Sequence, residues 1–273
     1  MKTNLTSNDY VHGYSERERQ RLHDQSQTLA ELLHHDTTYP AGSQVLEAGC
    51  GVGAQTVILA KNNPQARFTS IDASPASVAA ARAAVERAGF GNVTFHRADI
   101  FHLPFPEASF DHVFVCFVLE HLRQPAEALR RLGAALKPGG SLTVIEGDHG
   151  STFFHPRSDA AWRTVQCLID VQAAMGGNAL IGRELYPLVL GAGFREVAVS
   201  PRFVYVDSSR PAWVEGFTRN TYIAMVEGVR EQALAAGLID RPAWDKGIAD
   251  LKASAGPNGT FCYTFFKAVA LKP

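Results

Sequence analysis

The chain has 273 residues, 46% of them hydrophobic and 19% charged, with 26 Lys plus Arg against 27 Asp plus Glu and a formal net charge of -1. Such a composition supplies a substantial core and excludes a disordered or low-complexity chain. A balanced charge offers no general attraction to phosphate backbones or anionic membranes, so neither a nucleic acid nor a membrane is expected as partner.

The stretch "GYSERERQRLHDQSQTLAELLHH" opens with Ser15 and Glu18 at capping-box spacing, and Leu22, Leu29, Leu32 and Leu33 fall near one face. It reads as an amphipathic helix over 16–34, ahead of the main domain. From position 44 the pattern alternates. "QVLEAG" is a short apolar strand, and "AQTVILAKNN" is a helix stopped at Pro64. "ARFTSID" is a strand, and "SPASVAAARAAVERAG" is a helix with Ser74 as cap and Pro75 at its first position.

The alternation continues through "NVTFHRAD", a loop holding Pro104 and Pro106, "DHVFVCFVL", the helix "PAEALRRLGAAL", the turn "KPGG" and the strand "SLTVIEGD". This order predicts a parallel sheet with helices on both faces. Beyond Gly150 come a helix near Asp159 to Met175, a second in "GRELYPLVLGAGF", and a strand "REVAVSPRFVYV" interrupted by Pro201. A mainly helical stretch from Asp207 to Asn258 then precedes a last strand, "GTFCYTFFKAVALK".

Four widely spaced cysteines (Cys50, Cys116, Cys167 and Cys262) with no CxxC pair argue against a zinc site or a disulfide framework. No metal is expected. The N-terminal residues lack an apolar signal core and no apolar run reaches about 18 residues, so a cytoplasmic location is expected.

In "VLEAGCGVGAQT" a strand turns directly into a helix through Gly49, Gly51 and Gly53. The helix's first N–H groups have no internal acceptor, and glycines let a ligand approach bare backbone, which makes a nucleotide or charged-cofactor site at the sheet's carboxyl edge. Asp72 ends the second strand 21 positions after Gly51, where a carboxylate accepts both hydroxyls of a ribose. Gly49-x-Gly51-x-x-Ala54 also meets the looser dinucleotide fingerprint, so the loop alone does not name its ligand. Glu47 suits a cationic ligand better than a pyrophosphate, and Asp99 closes the third strand where an adenine amino group needs an acceptor.

Taken together, these segments resemble the class I S-adenosylmethionine-dependent methyltransferases. "VLEAGCGVG" is similar to that family's first motif, "SIDASP" to its second, "HRADIFHLPFPEASFDHVFVCFVLEHL" to its third and fourth, and "LKPGGSLTVIE" to the turn into its fifth strand. The resemblance implies an α/β, Rossmann-like, seven-stranded sheet, mostly parallel with an antiparallel last strand, with a helical lid and cap. It implies S-adenosyl-L-methionine as cofactor. Gly49, Cys50, Gly51 and Gly53 would lie under the methionine portion, with Glu47 supporting the loop and Cys50 a small packed residue. Asp72 and Ala73 would meet the ribose, Asp99 and Ile100 the adenine, and Phe117 the sulfonium, with His121 shaping the pocket. In similar small-molecule methyltransferases the N-terminal segment folds over the cofactor, which places Tyr14, Arg21 and Gln25 in a lid.

Domain boundaries follow: a lid over 1–40, the cofactor-binding core over 41–150, and a helical substrate cap with the last two core strands over 151–273. Methyl transfer needs a general base only when the accepting group arrives protonated. His121, Glu146, Asp148 and His149 are near the relevant strand ends, and Asp148 with His149 is the favoured pair. The aromatic residues of the 207–258 stretch favour a small apolar or aromatic substrate; the oligomeric state is not legible. Three further readings stay open here: an NAD-dependent oxidoreductase using the same loop, a catalytically silent S-adenosylmethionine-binding protein, and an enzyme that keeps the cofactor but makes another bond, by cyclisation or transfer of another group.

Overall fold

The computed structural model describes residues 28–273. The part of the N-terminal helix that falls in this range is helical over residues 28–34 (α1). Four strands follow, β1 (Gln44–Ala48), β2 (Arg67–Asp72), β3 (Val93–Arg97) and β4 (Phe110–Cys116), and they pair in parallel with β1 between β2 and β4. β1 and β4 are almost wholly buried, as expected of parallel strands covered on both faces. α2 (Ala54–Asn62), α3 (Pro75–Arg87) and α4 (Pro125–Ala135) supply the crossovers.

Alternate residues of a strand serve opposite layers. Leu46 and Ala48 of β1 join Val113 and Val115 of β4 in the core that includes Leu129 and Leu132 of α4. Glu47, between them, points to the layer of α2, where its carboxylate meets Thr56. α3 starts as its sequence indicates: the Ser74 side chain accepts from Ser77 N–H, and Pro75 occupies the first turn.

β5 (Leu136–His155) pairs in parallel with β4, and residues 137–140 loop out between the Phe110↔Leu136 and His112↔Ser141 pairs, with Gly139 at φ +75°. This is the expected "KPGG" turn. α5 (Asp159–Ala174), α6 (Leu185–Gly191) and β6 (Arg195–Asp207) come next. β6 runs through Pro201 instead of breaking there. It is the edge strand of the order β3-β2-β1-β4-β5-β7-β6, where a missing N–H need not cost a ladder bond.

The remaining helices are α7 (Pro211–Trp213), a π-helix over Val214–Ile223, α8 (Ala224–Gly228), α9 (Arg230–Ala235) and α10 (Arg241–Ala253). β7 (Thr260–Leu271) closes the chain. Gly139 N–H donates to Lys272 O and Lys272 N–H to Gly140 O, which sets β7 antiparallel to β5. No helix among the described residues is long and apolar enough to cross a membrane.

The chain divides into two compact units. One comprises Leu29–Asp148, Ile181–Arg202 and Phe265–Pro273; the other contains His149–Leu180 and Phe203–Thr264. Ile181, Leu185, Val189 and Phe194 are buried in one cluster with α4 and the strands, so the helical residues 181–194 group with the core, as does the start of β6, one of the two expected last core strands.

Candidate cofactor site and active site

The turn between β1 and α2 holds three glycines in the left-handed region, Gly49 (φ +81°), Gly51 (+51°) and Gly53 (+83°). They differ in what they need. A Cβ on Gly49 would stand 2.5 Å from Val118 Cγ2, and one on Gly53 would stand 2.7 Å from Ala81 Cα, so both are fixed by close packing. A Cβ on Gly51 would meet nothing within 4 Å; its bare backbone borders open space. The turn is tied to the end of β2, where Ile71 O accepts from both Gly49 N–H (2.8 Å) and Cys50 N–H (2.9 Å).

Two carboxyl groups brace this turn. Glu47 Oε2 accepts from Thr56 Oγ1 at 2.8 Å and Ser70 Oγ at 2.6 Å, linking β1 to α2 and β2. Burial pushes its pKa up to about 7, against the opposing effect of those two hydroxyls. Asp72 Oδ2 accepts from Gly51 N–H (2.9 Å) and Oδ1 from Ser74 N–H (2.8 Å), so one side chain fixes the turns after both β1 and β2. Burial raises the Asp72 pKa as well, while its two N–H partners oppose the rise. Cys50 is buried and its thiol is pushed far up by that burial, which leaves it inert as a nucleophile.

Ala73 is exposed beside Asp72, and its carbonyl accepts from Arg97 Nε. Asp99 is exposed and orders its own turn, with Oδ1 accepting from Phe101 N–H at 3.0 Å and Oδ2 3.3 Å from His102 Nδ1. Ile100 next to it is buried. At the end of β4, Phe117 holds φ +56°, a left-handed backbone that a bulky residue rarely adopts, with its ring 5.3 Å from that of Phe265. His121 ends the short 3₁₀ turn Leu119–His121, 3.6 Å from the Glu120 carboxylate.

The base candidates separate. Asp148 is buried and held at both oxygens by Arg183, Nε to Oδ2 at 2.7 Å and Nη2 to Oδ1 at 2.8 Å. This bidentate pair ties β5 to the turn at residues 181–184 and orients the Asp148 carboxylate. His149 belongs to the second unit. Its Nδ1 is 2.9 Å from Tyr263 Oη, and its backbone N–H donates to Ala179 O. Around it the rings of Tyr222 and Tyr263 lie at 6.0 and 5.7 Å.

Tyr14, Arg21 and Gln25 lie outside the described residues. Two partners escaped the sequence reading: Arg183, in "IGRELYP" 35 positions from Asp148, and Tyr263, 114 positions from His149. Nothing local marks either residue, because each is assigned only by where the chain returns.

Residues 46–144 match the family described as Methyltransferase domain. Over 233 residues the chain is 33% identical to an uncharacterised 37.1 kDa protein in transposon TN4556 of Streptomyces fradiae, spanning 84% of this chain and 61% of that one. Over 226 residues it is 28% identical to the 27-O-demethylrifamycin SV methyltransferase of Amycolatopsis mediterranei, spanning 82% and 76%. Among solved structures, a phosphoethanolamine N-methyltransferase of Haemonchus contortus, in complex with phosphomonomethylethanolamine and S-adenosylhomocysteine, matches with a TM-score of 0.59. Its sequence is 18% identical over 95% of this chain and 58% of that chain. Residues 46–144 are a methyltransferase domain, and the chain shares its fold with that S-adenosylhomocysteine-bound enzyme.

Proposed function

We propose that the chain transfers the methyl group of S-adenosylmethionine, by direct displacement, to a small molecule of apolar or aromatic character. The observation that carries this reading is the glycine turn: at Gly51 bare backbone borders open space, next to an Asp72 carboxylate that already orders the turn. A carboxylate has about four acceptor positions and Asp72 has committed two, which leaves capacity for two hydroxyls.

The donor set fits the cofactor. Gly49, Gly51 and Gly53 would hold its methionine part, with Glu47 and Cys50 beneath. Asp72 and Ala73 would hold the ribose, Asp99 and Ile100 the adenine, and Phe117 and His121 the region of the sulfonium, with Tyr14, Arg21 and Gln25 in a lid over it. When bound, the cofactor supplies a methyl already activated by its attachment to sulfur. The chain is then left to hold the acceptor in line and to exclude water. For an acceptor that arrives protonated, His149 takes the proton, its ring oriented through Nδ1 by Tyr263.

A small acceptor is supported by the A. mediterranei relative, a 27-O-demethylrifamycin SV methyltransferase, and by the aromatic content of the second unit, where Phe217, Tyr222, Phe261 and Tyr263 are buried. The test is calorimetric titration with S-adenosylmethionine, S-adenosylhomocysteine and NAD in turn, on the wild type and on Asp72→Ala. Binding of the first two without response to NAD is expected, with Asp72→Ala weaker by roughly 10-fold or more. NAD binding alone would overturn the reading. Release of S-adenosylhomocysteine with a small apolar acceptor then separates a transferase from a silent binder.

A further inference from the structure

Where β4 gives way to the 3₁₀ turn, backbone N–H groups are left without acceptors inside the turn. Val118 N–H and Leu119 N–H both reach one atom, Glu146 Oε1, at 3.0 and 2.7 Å. Glu146 lies on β5 and is wholly buried. A carboxyl in such a place is costly unless its hydrogen bonds are needed, and an apolar residue would fill the same volume at lower cost. Its other oxygen, Oε2, is buried and has no hydrogen-bond partner among the described residues.

The backbone held in this way flanks the glycine turn. Phe117, immediately before it, is in the left-handed region, a conformation strained for an L-residue and therefore in need of support. Val118 stands against Gly49, so close that a Cβ there would come within 2.5 Å of its Cγ2. One buried carboxyl thus fixes both the Phe117 backbone and the approach of Val118 to the glycine turn.

We propose that Glu146 is a positioning residue for S-adenosylmethionine, which sets the gap between the Phe117–Leu119 segment and the Gly49–Gly53 turn before any ligand binds. The proposal rests on the reading that this turn holds the cofactor. Glu146 acts through the backbone it holds, and what it must supply is an acceptor oxygen, not a charge. Burial, reinforced by the neighbouring Glu120, pushes its carboxyl well above the usual range. Glutamine offers the same acceptor on the same stem.

The experiment measures S-adenosylhomocysteine affinity calorimetrically for wild type, Glu146→Ala, Glu146→Gln and Leu251→Ala, with a melting temperature for each. Leu251 is buried in α10 of the other unit and serves as a control for lost stability alone. Glu146→Ala is expected to weaken binding by about 10-fold or more, and Glu146→Gln to recover most of that loss. Leu251→Ala is expected to lower the melting temperature and leave the affinity in place. A Glu146→Ala protein that binds like wild type would overturn the proposal, as would a Glu146→Gln protein as weak as Glu146→Ala. So would a Leu251→Ala protein whose affinity falls with its stability.

Should Glu146→Ala not fold, Val118→Ala reads the same contact from its other side. Weaker binding by several-fold is expected there, and unchanged binding overturns the proposal. Absence of S-adenosylhomocysteine binding by the wild type is a different failure, since it removes the cofactor reading itself.

Discussion

The two compact units both bury polar groups, and they satisfy them by different means. In the unit built around Leu29–Asp148, carboxyl groups collect donors from neighbouring elements: Glu47 from Thr56 and Ser70, Asp72 from Gly51 and Ser74, and Glu146 from the backbone of Val118, Leu119 and Glu120. In the other unit buried polar side chains pair within an aromatic cluster, Tyr263 with His149 and Tyr222 with Thr152, while Phe261 lies 4.7 Å from Tyr222 and 5.9 Å from Phe217. The first arrangement locks main-chain turns into set conformations, which suits a ligand read through backbone groups. The second presents ring faces and single hydrogen bonds, which suits apolar recognition and tolerates change in the ligand. Substitutions in the first unit should therefore cost cofactor affinity, and those in the second should cost stability without it.

Gly53→Ala is the largest test of that contrast. The new Cβ would meet the Ala81 backbone at 2.7 Å, in a residue held at φ +83°. Left-handed strain alone is worth about 1–2 kcal/mol, and α3 must also move, so S-adenosylhomocysteine affinity is expected to fall by about 100-fold or more. Gly237→Ala in the second unit supplies the counterpart. Gly237 has φ +67° but a Cβ there meets nothing within 4 Å. About 1 kcal/mol of stability should be lost by chemical denaturation, with cofactor affinity unchanged.

Glu47 gives an effect with a definite sign. Its carboxyl titrates near 4.5 in an unfolded chain and about 7 in the fold, raised first by burial. Between those values the folded protein holds the proton and the unfolded chain does not, so stability falls as pH rises through this window and levels off above it. Unfolding of the ligand-free wild type from pH 4.5 to 8 should show a decline approaching about 3 kcal/mol relative to Glu47→Gln, for which this contribution is absent. A Glu47→Gln difference that does not vary with pH would mean that the carboxyl stays charged in the fold.

How much of this was legible in the sequence differs along the same line. The strand-to-helix glycine turn, Asp72 and the "KPGG" turn were readable because the constraint is local: a left-handed backbone, a carboxylate within reach of the next turn, a loop between paired strands. Gly51 and Asp72 are 21 positions apart yet follow adjacent parallel strands, so strand order alone brings them together. The Asp148–Arg183 pair was not readable, because it depends on Ile181–Arg202 returning to the core, and that return is driven by Ile181, Leu185 and Val189, which look like any amphipathic helix. Pro201 misled in the usual direction: a proline breaks a central strand, and the sequence does not say that β6 is an edge. The π-helix over Val214–Ile223 left no mark either, since a hydrogen-bond shift from four to five residues does not alter composition.

The smallest test reaches that π-helix. Tyr222 is fully buried, projects from it, and shares a 2.6 Å hydrogen bond with Thr152 Oγ1 on β5. Tyr222→Phe keeps the ring contacts with Phe261 and Tyr263 and deletes one hydroxyl, leaving the Thr152 oxygen buried without that partner. The loss expected in chemical denaturation is about 1 kcal/mol, the net worth of one neutral buried hydrogen bond. Affinity for S-adenosylhomocysteine should not change, because none of the residues proposed to hold the cofactor lies on this helix. A drop in affinity comparable to that of Gly53→Ala would show that the two units do not divide the work as their polar chemistry indicates, and the aromatic cluster would then have to be counted among the determinants of cofactor binding.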